Sequence, residues 1–384
     1  MSRRHPNPPG FWAVWAAVAI DLLGFGIIIP ILPLYAEDFG ATPGTIGLLV
    51  AAYSLAQFAL APVWGRLSDR FGRRPILLLT IAGSAVGSLI LGLAGGLVML
   101  FVGRVLDGAS GASVSVARAV IADTSDAADR PRLMGLLGAA FGVGLVVGPL
   151  IGGLAALGGR SLPFFVAAAL STINLIVGWA RIAETRSSAI RPATEGPRSI
   201  PARVRRLVAL TFVSVVAFSA FEATFALLGQ ERLAMTPSSV AFAFAGVGVI
   251  LVLTQAVLAG GLATRLGDTG SIRLGLMINV VGFLLLSEAA SAGVLASGLA
   301  LLAFGQGLLV PVVSSAVAGA AGSYGSGAAL GAHASAGGLA RAVGPVIGGV
   351  LFGISTASPY RLAAVLVAAA VLLVPRASGA RQPG

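Results

Sequence analysis

Apolar runs of about 20 residues recur along the whole chain, separated by short polar gaps that hold most of its charge. A helix of that length crosses the hydrocarbon core of a bilayer, and it can lie there because every backbone N–H and C=O is satisfied within the helix. The runs predict spans at 11–35, 45–64, 76–94, 97–121, 133–157, 162–180, 207–228, 239–262, 272–290, 293–315, 328–353 and 359–375. So many runs exclude a single-anchor protein. Composition excludes a water-soluble globule: 10% of the 384 residues are charged, against about 25% in soluble domains. The expected class is an all-α polytopic membrane protein of twelve transmembrane helices.

The net charge of +11 does not indicate a nucleic-acid partner, because the basic residues (25, all Arg) sit in the gaps between apolar runs. Arg66, Arg70, Arg73 and Arg74, then Arg130 and Arg132, then Arg265 and Arg273 mark one side. The other side carries Glu37, Asp38, Arg160, Glu231 and Arg232. Counted as the positive-inside rule counts them, both termini are cytoplasmic. The run from Phe11 to Tyr35 is too long for the core of a signal peptide and reads as a retained first span. There is no cysteine, and His5 and His333 are far apart, so neither a metal site nor a cofactor motif is expected.

One long polar stretch, 181–206, carries Pro192, Pro197, Pro201 and an excess of Arg, and reads as a cytoplasmic linker near anionic headgroups. It divides the chain into expected bundles of six spans, 1–180 and 207–384. The halves echo each other. Gly148-Pro149-Leu150-Ile151-Gly152-Gly153 recurs as Gly344-Pro345-Val346-Ile347-Gly348-Gly349, 196 residues on. Thr42-Pro43 recurs as Thr236-Pro237, and Gly65-Arg66-Leu67-Ser68-Asp69-Arg70-Phe71-Gly72 has a decayed copy at 260–267. Three matches at nearly one offset predict duplicated bundles with a cavity between them.

The stretch Gly65 to Arg74, with Asp69, Arg70, Gly72, Arg73 and Arg74 at its key places, resembles the signature loop of the major facilitator superfamily. Gly138, Gly142, Gly144, Gly148, Pro149, Gly152 and Gly153 in span 5 resemble the antiporter motif of its drug:proton branch. With Asp21, Pro30 and Pro33 in span 1 and Arg104-Val105-Leu106-Asp107-Gly108 in span 4, the first half resembles the bacterial tetracycline efflux proteins over nearly its whole length. The resemblance implies a monomeric transporter in the bacterial cytoplasmic membrane, moving small lipophilic compounds against protons through two rocking six-helix bundles. Two positions depart from it. Those exporters typically carry an acid in span 3 where this chain has Gly87, and often another in span 9 where it has Asn279. That leaves tetracycline itself open and points toward another, broader substrate set.

Charge at span depth is costly, about 2.5–3.5 kcal/mol per residue on insertion scales, so each such residue needs a reason. Asp21 is the first candidate for carrying a proton or meeting a substrate cation; the bland alternative is a structural hydrogen bond. Arg104 and Asp107 share a helical face. The resemblance assigns Arg104 to proton coupling, while Asp107 either takes part or only neutralises it. Glu222 in span 7 is the second protonation candidate. Phe25, Tyr53, Gln57, Phe141 and Asn279 are candidates for the cavity wall. Rival readings are a facilitator or sugar or metabolite exporter on the same fold, a membrane-embedded enzyme, for which no catalytic cluster is visible, and a non-transporting scaffold.

Overall fold

The computed structural model describes residues 10–125, 129–184 and 199–375, and among them every regular element is helical. Span 1 is α1 (Phe11–Ile28) followed across Pro30 by α2 (Leu32–Glu37). Spans 2 and 3 are α3 (Pro43–Phe71) and α4 (Arg73–Gly92). Span 4 is broken into α5 (Leu97–Ser110) and α6 (Ser113–Thr124), while spans 5 and 6 are α7 (Arg130–Ala156) and α8 (Leu162–Arg181). Then come α9 (Ala202–Leu233), α10 (Pro237–Leu253), a π-helical turn at Thr254–Leu258, α11 (Ala259–Ser287), α12 (Ala292–Gly319), α13 (Ser326–Phe352) and α14 (Ser358–Ala370).

Among the described residues, ten helices are long and apolar enough to cross a membrane. One of them, Pro237–Ser287, runs for 51 residues. A single helix of that length would measure about 75 Å, far more than a bilayer. Gly267 divides it: φ is 66° and ψ is 170°, outside the helical range, where glycine carries no Cβ penalty. It therefore supplies two spans. With the shorter apolar helix Ser358–Leu373 the count is twelve. The described residues fall into two compact units: those of Met1–Thr194 with Glu222–Gly248, and those of Glu195–Phe221 with Val249–Gly384. The expected linker lies mostly outside the described residues.

The sequence repeats are repeats of packing. Thr42 caps α3, its hydroxyl accepting from the Thr45 N–H at 3.3 Å with Pro43 at the first helical position; Thr236 caps α10 the same way, accepting from the Ser239 N–H at 3.2 Å. In the first unit the Gly-Pro motif of α7 receives α1. A Cβ on Gly148 would lie 2.8 Å from the Cα of Gly26, one on Gly144 2.8 Å from Leu22, and one on Gly152 2.9 Å from the Ile27 carbonyl. In the second unit Gly348, from the other copy, meets Ala220 of α9 at 3.0 Å. A second crossing is duplicated too: Gly87 meets the Gly103 carbonyl at 3.0 Å between α4 and α5, and Gly282 meets that of Gly298 at 3.1 Å between α11 and α12. Small residues are what let membrane helices approach this closely.

A valine at 148 would overpack the α1–α7 crossing, at a cost of about 1–3 kcal/mol. Thermal melting in detergent should show a clear drop for Gly148→Val. Gly138→Ala on the same helix, at an exposed position where an added Cβ meets nothing within 4 Å, should leave the melting temperature unchanged or slightly raised.

Candidate functional site

The first unit encloses a cluster of charge. Arg104 of α5 is 1% exposed and Asp107, one turn on, 7%. The Asp107 carboxylate lies 3.5 Å from Arg104 Nη1, too far for a good hydrogen bond, and Arg104 Nε and Nη1 have no hydrogen-bond partner. The guanidinium instead lies over the ring of Tyr53 from α3, 4.3 Å from its centroid, in a cation–π contact. Tyr53 in turn stacks on Phe25 of α1 at 5.3 Å. From α1, Asp21 accepts a hydrogen bond from Ser113 Oγ of α6 at 2.5 Å. Four helices thus bring together Asp21, Arg104, Asp107, Tyr53 and Phe25 of the predicted set, and add Ser113.

Gly87 leaves room for Asp107 at the α4–α5 crossing. A Cβ there would lie 2.9 Å from the Asp107 Cβ and 2.9 Å from its backbone nitrogen. The space that a side chain at 87 would fill belongs to Asp107, so the carboxylate at this crossing comes from span 4.

Span 4 is broken beside the cluster, where sequence periodicity predicts one continuous helix. The break falls at Gly111 and Ala112. Freed backbone groups inside a membrane must find partners, and span 2 supplies them: Gln57 Nε2 donates to the Gly111 carbonyl at 2.8 Å, and Trp64 Nε1 to the Ala109 carbonyl at 2.5 Å. Gln57 also reaches the Tyr53 hydroxyl at 3.4 Å. The break puts Ser113 at the start of α6, facing Asp21.

The Gly65 motif is helix for most of its length, not loop. The last two turns of α3 carry Gly65, Asp69 and Arg70; only Gly72, at φ 104°, separates α3 from α4. A side chain at 72 would also run into the Glu184 carboxylate, at 2.8 Å from its carbon. That carboxylate accepts from the backbone N–H of Arg73 at 2.9 Å and of Arg74 at 3.3 Å, capping α4 as anions favour a helix N-terminus. Arg73 binds Asp69 at 2.5 Å, Asp123 of α6 at 2.9 Å and the Ser68 hydroxyl at 2.6 Å. Arg74 donates to the Trp179 carbonyl of α8 at 2.7 Å. Spans 2, 3, 4 and 6 are tied at this end.

The second unit keeps the packing and drops the charge. Counting 195 residues on, the equivalents of Arg104 and Asp107 are Leu299 and Leu302. Asn279 stands where Ser84 stands in the first half, fully buried, with neither amide atom partnered. Two further candidates belong to the first unit: Glu222 is half-buried in α9 and Phe141 half-buried in α7. His333 of α13 joins Thr211 of α9 at 2.9 Å to Ser314 of α12 at 3.3 Å. Glu288 pairs with Arg361 at 2.8 Å, both side chains largely exposed.

Twelve apolar spans with duplicated helix crossings and one buried charge cluster define a polytopic membrane transporter. The family model of the Major Facilitator Superfamily matches residues 14–286, and the chain belongs to that superfamily. It is 31% identical to the Tetracycline resistance protein, class B, of Escherichia coli, covering 94% of this chain and 96% of that one. It is 28% identical to the Multidrug resistance protein 1 of Bacillus subtilis, covering 92% of each. Among solved structures, the human organic anion transporter MFSD10 (TETRAN) superposes with a TM-score of 0.72 at 25% identity, covering 96% of this chain and 100% of that one.

Removing one partner of a buried ion pair costs about 3–5 kcal/mol, because the other charge is left alone. Asp107→Leu should therefore melt well below the parent chain. The double variant Arg104→Leu with Asp107→Leu, which installs the residues of the second repeat, should recover most of that loss.

Proposed function

We propose that the chain exports small lipophilic, drug-like compounds across the cytoplasmic membrane in exchange for protons. The observation that carries this reading is a buried carboxylate, Asp107, 3.5 Å from an under-bonded guanidinium, with a second carboxylate, Asp21, held by Ser113 in the same unit. Hydrocarbon disfavours the charged form of an acid, and a nearby arginine favours it. A site holding both influences can take and release a proton when the helices shift. The names of the tetracycline and multidrug resistance relatives support drug efflux as the direction and class of transport.

In this reading bundles 1–180 and 207–384, joined by the linker 181–206, rock about a central site, with both termini in the cytoplasm. Protons from outside reach Asp21, Asp107 or Glu222 and weaken a substrate held against Phe25, Tyr53, Gln57, Phe141 and Asn279. Arg104 sets the balance between the carboxylates. The network of Asp69, Arg70, Arg73 and Arg74 holds the cytoplasmic ends of the first bundle together as it moves. Gly144, Gly148, Pro149, Gly152 and Gly153 keep spans 1 and 5 in the close contact that a rigid rocking body needs. One proton moved down 100 mV supplies about 2.3 kcal/mol, or about 50-fold accumulation of a neutral compound. The carboxylate contributed from span 4 gives the site a different shape from one with an acid in span 3, which favours a substrate range broader than tetracycline.

The test is a pH gradient in inverted vesicles holding the purified chain, challenged with lipophilic cations, tetracyclines and neutral drugs. A substrate should collapse the gradient, and Asp21→Asn should abolish that collapse. Downhill movement of a solute with the gradient intact would instead make the chain a facilitator.

A further inference from the structure

We propose that Arg341 is an anion-binding subsite on the transport path, and that the compounds carried are amphiphiles with a negative group such as a carboxylate or sulfonate. This rests on the export reading and adds the substrate class to it.

Arg341 lies 15 residues from the start of α13 and 11 from its end, about 22 and 16 Å along the axis. That is too deep for its side chain to snorkel to either surface. The residue is exposed, and its guanidinium makes no hydrogen bond or ion pair with another described residue. An exposed cation at mid-membrane faces either lipid or water, and the helix itself decides which. Successive residues turn by about 100°, so residues 4, 7 and 11 places apart share a face. Toward the outer end, the face of Arg341 carries Pro345, Gly348 and Phe352, all buried. A Cβ added to Gly348 would lie 3.0 Å from Ala220 of α9. Toward the cytoplasmic end the same face carries Ala334 and Leu330, both exposed. Two large apolar residues that α13 exposes, Leu339 and Val350, stand two and nine places away, on the opposite side, where lipid lies. Arg341 therefore marks the point where a protein-facing side of α13 stops packing and opens toward the cytoplasm. Ionisable side chains at this depth are kept where they line such water-filled openings.

The chemistry of the group selects the ligand. An arginine stays charged at any working pH, and its planar fork meets a carboxylate or sulfonate through two parallel N–H···O bonds. With no acid of its own to bind, this one is available to an anion from solution. Leu330 and Ala334 give the lipophilic body of an amphiphile something to lie against. The inside-negative potential drives an anion outward, which is the direction of export. The first half has no counterpart: 196 residues back stands Leu145. The cation is thus no part of the duplicated packing.

The experiment uses inverted vesicles holding the purified chain under a pH gradient. The probes are two fluorescent coumarins that differ at one group, a carboxylate and its primary amide, with ethidium as a cationic reference. Initial rates of uptake give a KM for each. The parent chain should take up the carboxylate with the lower KM. Arg341→Gln should raise the KM for the carboxylate roughly tenfold or more and leave that for the amide within about twofold. Arg341→Lys should recover part of the loss. A parent chain that moves the amide or ethidium but not the carboxylate overturns the subsite and leaves the export reading standing. An Arg341→Gln variant that keeps the parent's preference overturns it too. So does one that loses both coumarins alike, which is the mark of a structural arginine. A parent chain that moves none of the three probes removes the export reading and this inference together.

Discussion

An arginine with 1% of its side chain exposed, inside a bundle otherwise built for hydrocarbon, governs the first half of this protein. Leaving Arg104 unpaired would be among the most costly single defects that the fold could carry. Much of the local architecture can be read as an answer to it. Asp107 supplies the counter-charge from the same helix. Gly87 gives up its side chain so that Asp107 can lie against α4. Tyr53 covers the guanidinium with a ring, and Gln57, one turn along α3, holds the end of the broken span 4. The answer is incomplete, since two Arg104 nitrogens make no hydrogen bond and the ion pair is long. At 3.5 Å the pair is longer than a well-formed hydrogen bond.

Duplication explains the scaffold, and divergence explains the chemistry. The two halves share a Thr-Pro helix start, a Gly-Pro helix crossing and a glycine contact between the third and fourth spans of each half. These features solve a packing problem that any six-helix bundle in lipid meets, where small residues and dispersion do what the hydrophobic effect does in water. The charged cluster solves no packing problem and appears once. Where the first half has Arg104 and Asp107, the second has leucines, and the crossing still forms. Charge at this site is therefore retained for a reason other than stability.

Much of this was legible in the chain itself. Asp21, Arg104 and Asp107 stand out because charge inside a 20-residue apolar run is rare, and the Gly65 to Arg74 motif because its spacing is so particular. The number of spans followed from run length, and the gap expected between 262 and 272 is where Gly267 breaks the helix. Ser113 was not legible: hydroxyls are common in membrane helices, and only the crossing of α1 and α6 shows which of them meets a carboxylate. The break in span 4 had a faint signal in the small residues Gly108 to Ala112, but small residues serve packing more often than breaks. Glu184 lies 111 residues from Arg73, and its capping of α4 depends on where span 6 ends. The motif read as a loop proved helical because Gly72 alone supplies the turn.

The most direct test of the account is to add substrate to the purified protein in weakly buffered detergent solution and follow the bulk pH with an indicator dye. If substrate and proton compete for the Asp21–Asp107 site, substrate binding must release protons from the parent chain, and the release must vanish in a variant with both carboxylates amidated. Binding that releases no protons, or releases the same amount from that variant, would contradict the account and leave the cluster a structural device.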